Sequence, residues 1–169
     1  MRAFGLVAAC VAVLHGSGIP EATEVRRGNW ILRGIPDAAC IEAMKRERIT
    51  HVISICRDGD AGFDARLEVR LLTEADILFS RVSLKRAPTR DDFELFRMVR
   101  NGLPGNARVV VHCTDGNRAA LVMVAWLAAE GLVAREEAPG LAARSGMVHP
   151  ESGQALAAYL RSLPPGSGR

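Results

Sequence analysis

Residues 108–131 have the sequence RVVVHCTDGNRAALVMVAWLAAEG, and this stretch decides the fold. It begins with a run of three valines, which is typical of a strand buried on both faces of a sheet. It ends with an apolar segment, residues 117–130, which predicts a helix at the centre of the molecule. The polar turn between them, residues 112–118, contains Gly116, which is free to adopt positive φ. Strand, turn and helix together predict an anion site at the helix N-terminus.

The rest of the chain predicts the same alternation of strands and helices. Four segments rich in β-branched or alternating apolar residues predict strands, at residues 29–33, 50–56, 77–84 and 108–111. Four amphipathic or apolar segments predict helices, at residues 37–48, 64–76, 89–100 and 117–130. Asp37 and Thr89 are the expected N-caps of the first and third helix. Residues 134–163 predict two more helices, separated at residues 148–150. We therefore predict an α/β fold with a mainly parallel sheet of four to five strands flanked by helices.

Composition limits the domain count and the partners. The 169-residue chain is 49% hydrophobic, which favours a single domain with one core at residues 19–163. Its formal net charge is only +3 and its basic residues are scattered. Aromatic residues make up 5% of the chain, so the stacking platforms that single-stranded nucleic acid needs are scarce. Nucleic acid is therefore not an expected partner.

The two ends of the chain differ from the middle. Residues 1–18 contain one arginine, an apolar run and a small-residue end, which resembles a signal peptide and predicts export to the periplasm. The alternative is a buried N-terminal strand in a cytoplasmic protein. The apolar run is shorter than the roughly 20 residues that span a bilayer, so no stable membrane span is expected. Residues 164–169 predict a disordered tail.

The cysteines offer two interpretations. Four are present, and their spacing matches no zinc pattern, so no metal is expected. Cys56 and Cys113 each end a predicted strand. If these strands are neighbours, the two sulfurs could form a reversible disulfide; the alternative is that both are buried apolar residues.

Cys113 and Arg118 carry the predicted chemistry of the turn. A cysteine at a helix N-terminus meets backbone N–H groups and the positive end of the helix dipole, which favour the nucleophilic thiolate. Arg118, as a two-pronged donor, would help these N–H groups to hold a tetrahedral anion above the sulfur. The pattern predicts in-line attack of Cys113 on phosphorus. The alternative is an inert, buried cysteine.

The turn HCTDGNR at residues 112–118 resembles the signature of the cysteine-dependent protein tyrosine and dual-specificity phosphatases. It is most similar to the bacterial phosphatase-like family often called beta-lactamase-hydrolase-like, and this likeness extends to residues 33–36, 53–57 and 87–89. The resemblance implies a hydrolase of phosphate monoesters, on proteins or small molecules, that needs no cofactor and forms a cysteinyl-phosphate. It implies Cys113 as the nucleophile and Arg118 as the phosphate clamp. The turn residues that it assigns to substrate binding are Thr114, Asp115, Gly116, Asn117 and Arg118.

The turn departs from the phosphatase pattern in two ways. Four residues separate Cys113 from Arg118, where the tyrosine phosphatases have five. Asp115 occupies a position where the closer family often has serine. A carboxylate turned inward would repel phosphate, so we expect Asp115 to point away from the cradle or the activity to be weak.

The general acid is the residue that the pattern does not supply. Phosphatases of this kind usually protonate the leaving oxygen with an aspartate from a mobile loop after a strand, and residues 84–88 contain none. Asp58 and Asp60 are the candidates that we favour, because their loop should open at the same edge of the sheet. Their alternative role is in the turn itself. Asp91 and Asp92 are sufficiently explained by helix capping.

Two other functions remain open at this point. Rhodanese-like sulfurtransferases also place four residues between cysteine and arginine, although His112 and the helix-rich run after the turn argue against that class. A non-catalytic anion-binding module would keep the phosphate cradle and lack the acid.

Overall fold

The computed structural model describes residues 18–26 and 28–164. The predicted tail, residues 164–169, lies outside this range except for Pro164, and so does the predicted signal peptide except for Gly18; both stay predictions. The elements in chain order are β1 (Ala22–Arg26), β2 (Asn29–Arg33), α1 (Ala38–Arg46), β3 (His51–Ser54), α2 (Ala65–Glu74), β4 (Leu78–Arg81), α3 (Arg90–Asn101), β5 (Val109–Cys113), α4 (Asn117–Ala129), α5 (Ala138–Arg144) and α6 (Pro150–Ser162).

The five strands form one sheet in the order β1-β2-β5-β3-β4. Strands β2, β5, β3 and β4 are parallel, and β1 joins β2 as an antiparallel edge strand. The predicted α/β fold with a mainly parallel sheet is therefore confirmed. Strand β1 was not predicted, because its sequence ATEVR has no apolar run and its pairing comes from β2.

The register of the central strands brings their carboxyl ends to one edge. Arg33 of β2 lies opposite Cys113, and Ser54 of β3 lies opposite His112. The Gly34 amide donates a hydrogen bond of 3.1 Å to the Cys113 carbonyl oxygen. Strand β5 is longer than predicted and ends at Cys113, because it has a partner on both sides. The predicted site thus lies where parallel sheets bind ligands.

Helix α4 lies at the centre of the molecule. Every residue from Asn117 to Ala129 is buried, which confirms the expectation from the apolar sequence. The helix packs against β2, β5, α3, α5 and α6. A second, smaller core on the other face of the sheet contains Trp30, Ile41 and Met44. The N-terminus of α4 is therefore held from several sides, which positions the turn before it.

The remaining predicted elements are present with shifted ends. Strands β3 and β4 are shorter than the predicted residues 50–56 and 77–84, although Ile55 and Val82 still donate hydrogen bonds to neighbouring strands. Asp37 and Thr89 cap α1 and α3 as expected. No helix in the described part of the chain has the length and apolarity that crossing a membrane requires.

Candidate active site

The turn between β5 and α4 places Cys113 at the bottom of the site. Cys113 is the last residue of β5 and is buried. Gly116 has φ of 79° and is the N-cap of α4. A Cβ atom at Gly116 would lie 2.7 Å from Cγ of Arg33, so the turn needs glycine both for its backbone angle and for the close approach of β2.

Arg118 lies in the first turn of α4, with its guanidinium group folded over the turn. Its Nη1 donates to the Leu84 carbonyl oxygen at 3.0 Å. Its Nη2 donates to Oδ2 of Asp60 at 2.6 Å and approaches Oγ1 of Thr114 at 3.4 Å. The arginine is buried and therefore kept in one position by groups from two loops.

Asp60 is the candidate acid that the structure brings to Arg118. The Arg57 amide also donates to its Oδ2, at 2.8 Å. Partial burial works against ionisation, but the Arg57 amide and the Arg118 guanidinium together hold the pKa of Asp60 below its usual value. Asp60 therefore ends as an ionised partner of Arg118 in this structure.

Asp58, the other candidate acid, lies away from these contacts. Its Oδ1 accepts a hydrogen bond of 2.8 Å from Arg81, and its side chain is 89% exposed. Arg81 in turn binds the Cys56 carbonyl oxygen and stacks over Phe63. The structure thus separates the two aspartates, although they are two residues apart on one loop.

The Asp115 carboxylate points toward the nucleophile, which corrects the expectation that it would point away. Cys113 Sγ donates to its Oδ1 at 3.3 Å, and the Asn117 amide donates to the same oxygen at 3.0 Å. Its Oδ2 lies 3.2 Å from Nε2 of His149. The carboxylate turns inward because the thiol, the helix N-terminal amide and the imidazole all face it.

The contact with Asp115 also changes the expected state of the nucleophile. Burial raises the pKa of the Cys113 thiol above its usual value. The backbone amides of Ala119 and Asp115 act to lower it, whereas the negative charge of the Asp115 carboxylate adds to the rise. Contrary to the sequence-based expectation, the helix N-terminus is outweighed, and Cys113 is a thiol in this structure.

Asn117 holds the turn in place with its side chain. Its Oδ1 accepts hydrogen bonds from the amides of Val148 and His149, at 2.8 and 3.0 Å. Its Nδ2 donates to Ser152 Oγ at 2.7 Å, and Ser152 donates to the Arg86 carbonyl oxygen. The side-chain amide of Asn117 therefore connects the turn with the start of α6 and, through Ser152, with the loop before α3.

No sequence pattern indicated that His149 or Ser152 would lie at this site. The signal present was the break at residues 148–150, which marks where α6 begins and says nothing about what α6 approaches. A second unpredicted pair lies behind the nucleophile, where Nε2 of His112 is 2.6 Å from Oε1 of Glu68 and both side chains are buried. Neither group has a side-chain hydrogen bond within the described residues.

The three cysteines in the described part of the chain are free thiols. Cys40, Cys56 and Cys113 are buried and unbonded, so the possible disulfide is not formed in this structure. Burial raises the pKa of Cys56 to about 11. Within residues 18–26 and 28–164, no group of three or more His, Cys, Asp or Glu side chains could hold a metal ion.

Comparison with known proteins gives results for structure alone. No family model and no curated protein matches the sequence. The DUF442 protein of Shewanella putrefaciens CN-32, a candidate phosphatase by its name, is similar with a TM-score of 0.73 and 18% sequence identity, over 90% of this chain and 96% of that chain. PTPMT1 in complex with PI(5)P is similar with a TM-score of 0.68 and 16% identity, over 85% and 96%. TpbA from P. aeruginosa in complex with pTyr has a TM-score of 0.64 and 14% identity, over 84% and 83%.

These likenesses define the class of fold. The chain has the fold of the cysteine-dependent tyrosine and dual-specificity phosphatases, as its resemblance to them predicted.

Proposed function

We propose that this protein is a cysteine-dependent phosphatase that hydrolyses phosphate monoesters. The observation that carries the proposal is the pairing of Cys113 and Arg118 on one turn. The thiol ends the central strand, and the guanidinium group from the first helical turn folds over the same loop. A thiol below an arginine and a helix N-terminus is an arrangement suited to a tetrahedral oxyanion.

The reaction has two displacements at phosphorus. The Cys113 thiol first releases its proton to solvent; its Sγ then attacks in line, a sulfur–phosphorus bond forms, and the bond to the leaving oxygen breaks. Arg118 and the N–H groups of the turn hold the equatorial oxygens, on which the negative charge is spread. Water then attacks the phosphorus of the cysteinyl-phosphate and the sulfur–phosphorus bond breaks. This step releases inorganic phosphate and regenerates Cys113.

Asp60 is the residue that we assign as the general acid in place of Asp58. A bound phosphate competes with Asp60 for the Arg118 guanidinium group. Once Asp60 has lost that partner and lies near a dianion, its carboxyl group binds a proton more readily. It then donates this proton to the leaving oxygen and takes one back from the attacking water.

The substrate is a phosphorylated protein or small molecule. Proteins of the same fold have been solved with pTyr and with PI(5)P, so the fold accommodates both kinds of phosphate monoester. The basic side chains next to the site, Arg57 and Arg86, are exposed and would favour an anionic substrate.

A second candidate function is a phosphate-binding module without turnover. The contact between Asp115 and Cys113 favours it, because a protonated thiol beside a carboxylate is a poor nucleophile. The sulfurtransferase alternative rests on the four-residue spacing alone.

The decisive experiment measures phosphate release from an aryl phosphate by the reduced protein, between about pH 5 and 8. We expect release by the wild type and by Cys40→Ala, a matched control in which a buried cysteine on α1 is lost. Cys113→Ser should release none. If the wild type binds sulfate or vanadate without turnover, the binding module is the correct function. Thiocyanate formation from thiosulfate and cyanide would instead identify a sulfurtransferase.

A further inference from the structure

Two carboxylates occupy the hydrogen-bond donors that a phosphate would use. Asp60 accepts a hydrogen bond from the guanidinium group of Arg118. Asp115 accepts hydrogen bonds from the backbone amide of Asn117, at the N-terminus of α4, and from the sulfur of Cys113. The two contacts have different consequences, because Asp60 comes from a separate loop, whereas Asp115 is part of the turn that binds the anion.

An ionised Asp115 and a bound dianion repel each other strongly. Like charges within one partly buried turn repel each other more strongly than in bulk water, because the effective dielectric constant there is lower. Asp115 cannot leave the site as a whole, since its backbone belongs to the turn. The repulsion is therefore removed most directly by a proton.

His149 can hold that proton next to Asp115. Its Nε2 lies 3.2 Å from Oδ2 of Asp115, and its side chain is 30% exposed, so water can reach the ring. Histidine is the side chain that ordinarily titrates near neutral pH. The backbone amide of His149 is fixed by Asn117, which keeps the ring beside the turn.

The other titratable groups that face Asp115 or its neighbour Cys113 cannot supply this proton-binding site next to Asp115. Burial raises the pKa of both Cys113 and Cys56, so both stay protonated near neutrality. Arg118 stays charged, and Asp60 contacts Arg118 and not Asp115. Among the described residues that contact Asp115, His149 is therefore the one whose ring nitrogen can accept a proton.

We propose that Asp115 and His149 form a proton-binding pair, and that the turn takes up one proton from solvent when it binds a tetrahedral oxyanion over Cys113. The bound pair then consists of an imidazolium and a carboxylate, with no net charge. This inference rests on the proposed function only in assuming that an oxyanion binds at Cys113, and it does not require turnover.

Sulfate is the appropriate probe, because it remains a dianion throughout the range from about pH 5 to 8. Because Asp60 takes up a proton of its own when an oxyanion displaces it from Arg118, Asp60→Asn is the reference protein. Calorimetric titration of the reduced Asp60→Asn protein at about pH 7.5, in buffers of different ionisation enthalpy, should show uptake of nearly one proton. Because binding takes up a proton, the dissociation constant should rise with pH, by up to about tenfold per pH unit.

Two variants of this reference protein separate the members of the pair. With Asp115→Ser added, proton uptake should disappear, and sulfate should bind at pH 8 at least about tenfold more tightly than to the reference protein. With His149→Gln added, the glutamine side chain can still donate to Asp115 but cannot take up a proton, so binding should be weak at every pH. His51→Gln is the matched control, since His51 bonds Thr50 at the start of β3, and its proton uptake should equal that of the reference protein.

Three results would each overturn the inference. A dissociation constant that does not change with pH would do so, as would proton uptake that survives in both site variants, or no sulfate binding even at pH 5. Proton-coupled binding without hydrolysis of an aryl phosphate would contradict the proposed phosphatase and leave this inference intact. Hydrolysis of an aryl phosphate together with pH-independent sulfate binding would support the proposed phosphatase and overturn this inference.

Discussion

At the scale of single residues, Asp60 shows how a site residue can stabilise the fold. Its pKa is lowered in the folded protein by the Arg57 amide and Arg118. A carboxylate of this kind contributes stability above its unfolded pKa of about 3.9, and this contribution is lost as the pH falls through the lower folded pKa. The Asp60–Arg118 contact should therefore stabilise the protein at neutral pH and not in acid.

We expect Asp60→Asn to lower the free energy of unfolding by about 1–3 kcal/mol at pH 7, because Arg118 loses its ionised partner. Urea unfolding at pH 7 and at about pH 3 measures the effect, and the difference from the wild type should shrink in acid. Asp58→Asn is the matched control on the same loop, and its exposed contact with Arg81 should contribute less than about 1 kcal/mol. Equal losses in the two variants would contradict this assignment.

Cys113 itself should respond to Asp115. The carboxylate raises the pKa of the thiol, so Asp115→Ser should lower that pKa and speed alkylation of Cys113 at neutral pH. The measurement is the rate of reaction with iodoacetamide as a function of pH, followed by mass spectrometry of the peptide that contains Cys113. An unchanged or higher pKa in the variant would mean that burial alone determines the state of the thiol.

At the scale of secondary-structure elements, α6 acts on the turn through Asn117. The Asn117 side chain is 1% exposed and satisfies three polar groups of α6 and the segment before it. The turn geometry thus depends on an element that follows it by about thirty residues. Helix α6 is in this sense part of the site, although it carries no group that we place on phosphorus.

Removal of this connection should reduce stability and activity together. We expect Asn117→Ala to lower the unfolding free energy by about 2–4 kcal/mol, since two backbone amides and Ser152 lose their partner. It should lower kcat/KM for an aryl phosphate by about ten- to a hundredfold, because the turn shifts relative to Cys113. Ser152→Ala removes one of these bonds and should have a smaller effect on both quantities. A fully active Asn117→Ala would show that the turn keeps its shape without α6.

Helix α4 offers a simpler test of packing. Leu127 is 0% exposed, and Leu127→Ala should lower the free energy of unfolding by about 2–5 kcal/mol through loss of buried area and the cavity that remains. Met98→Ala is the control, because Met98 is 66% exposed on α3 and should change stability by less than about 0.5 kcal/mol. Denaturant unfolding measures both, and equal losses would contradict the central position of α4.

At the scale of the whole molecule, local sequence patterns predicted the parts that local chemistry determines. The valine run before Cys113 and the apolar helix after Gly116 predicted β5, α4 and their central position, because buried strands and helices need such residues all round. The same stretch predicted Cys113 and Arg118 as neighbours, since the turn between them is short. The parallel sheet followed from the alternation of strands and helices.

What could not be predicted depends on contacts between distant segments. His149 reaches Asp115 across 34 residues, and the spacing along the chain contains no sign of that approach. Asp58 and Asp60 lie on one loop and look equivalent in sequence, but Arg81 binds the first and Arg118 the second. Likewise, the inward turn of Asp115 follows from the three donors that face it, of which only the Asn117 amide and the thiol were near it in sequence.

The buried contact between Glu68 and His112 has a consequence for movement in the molecule. The loop that carries Asp60 runs from the end of β3 to α2, and Glu68 of α2 lies in buried contact with His112, the strand residue that precedes the nucleophile. Both ends of this loop are therefore anchored to the same β-sheet, which leaves little freedom for it to swing open and shut like a hinged lid. Movement of the Asp60 carboxyl group from Arg118 to a leaving oxygen would then require rotation of one side chain only. This rotation is fast, so a viscous solvent such as concentrated sucrose should scarcely slow hydrolysis.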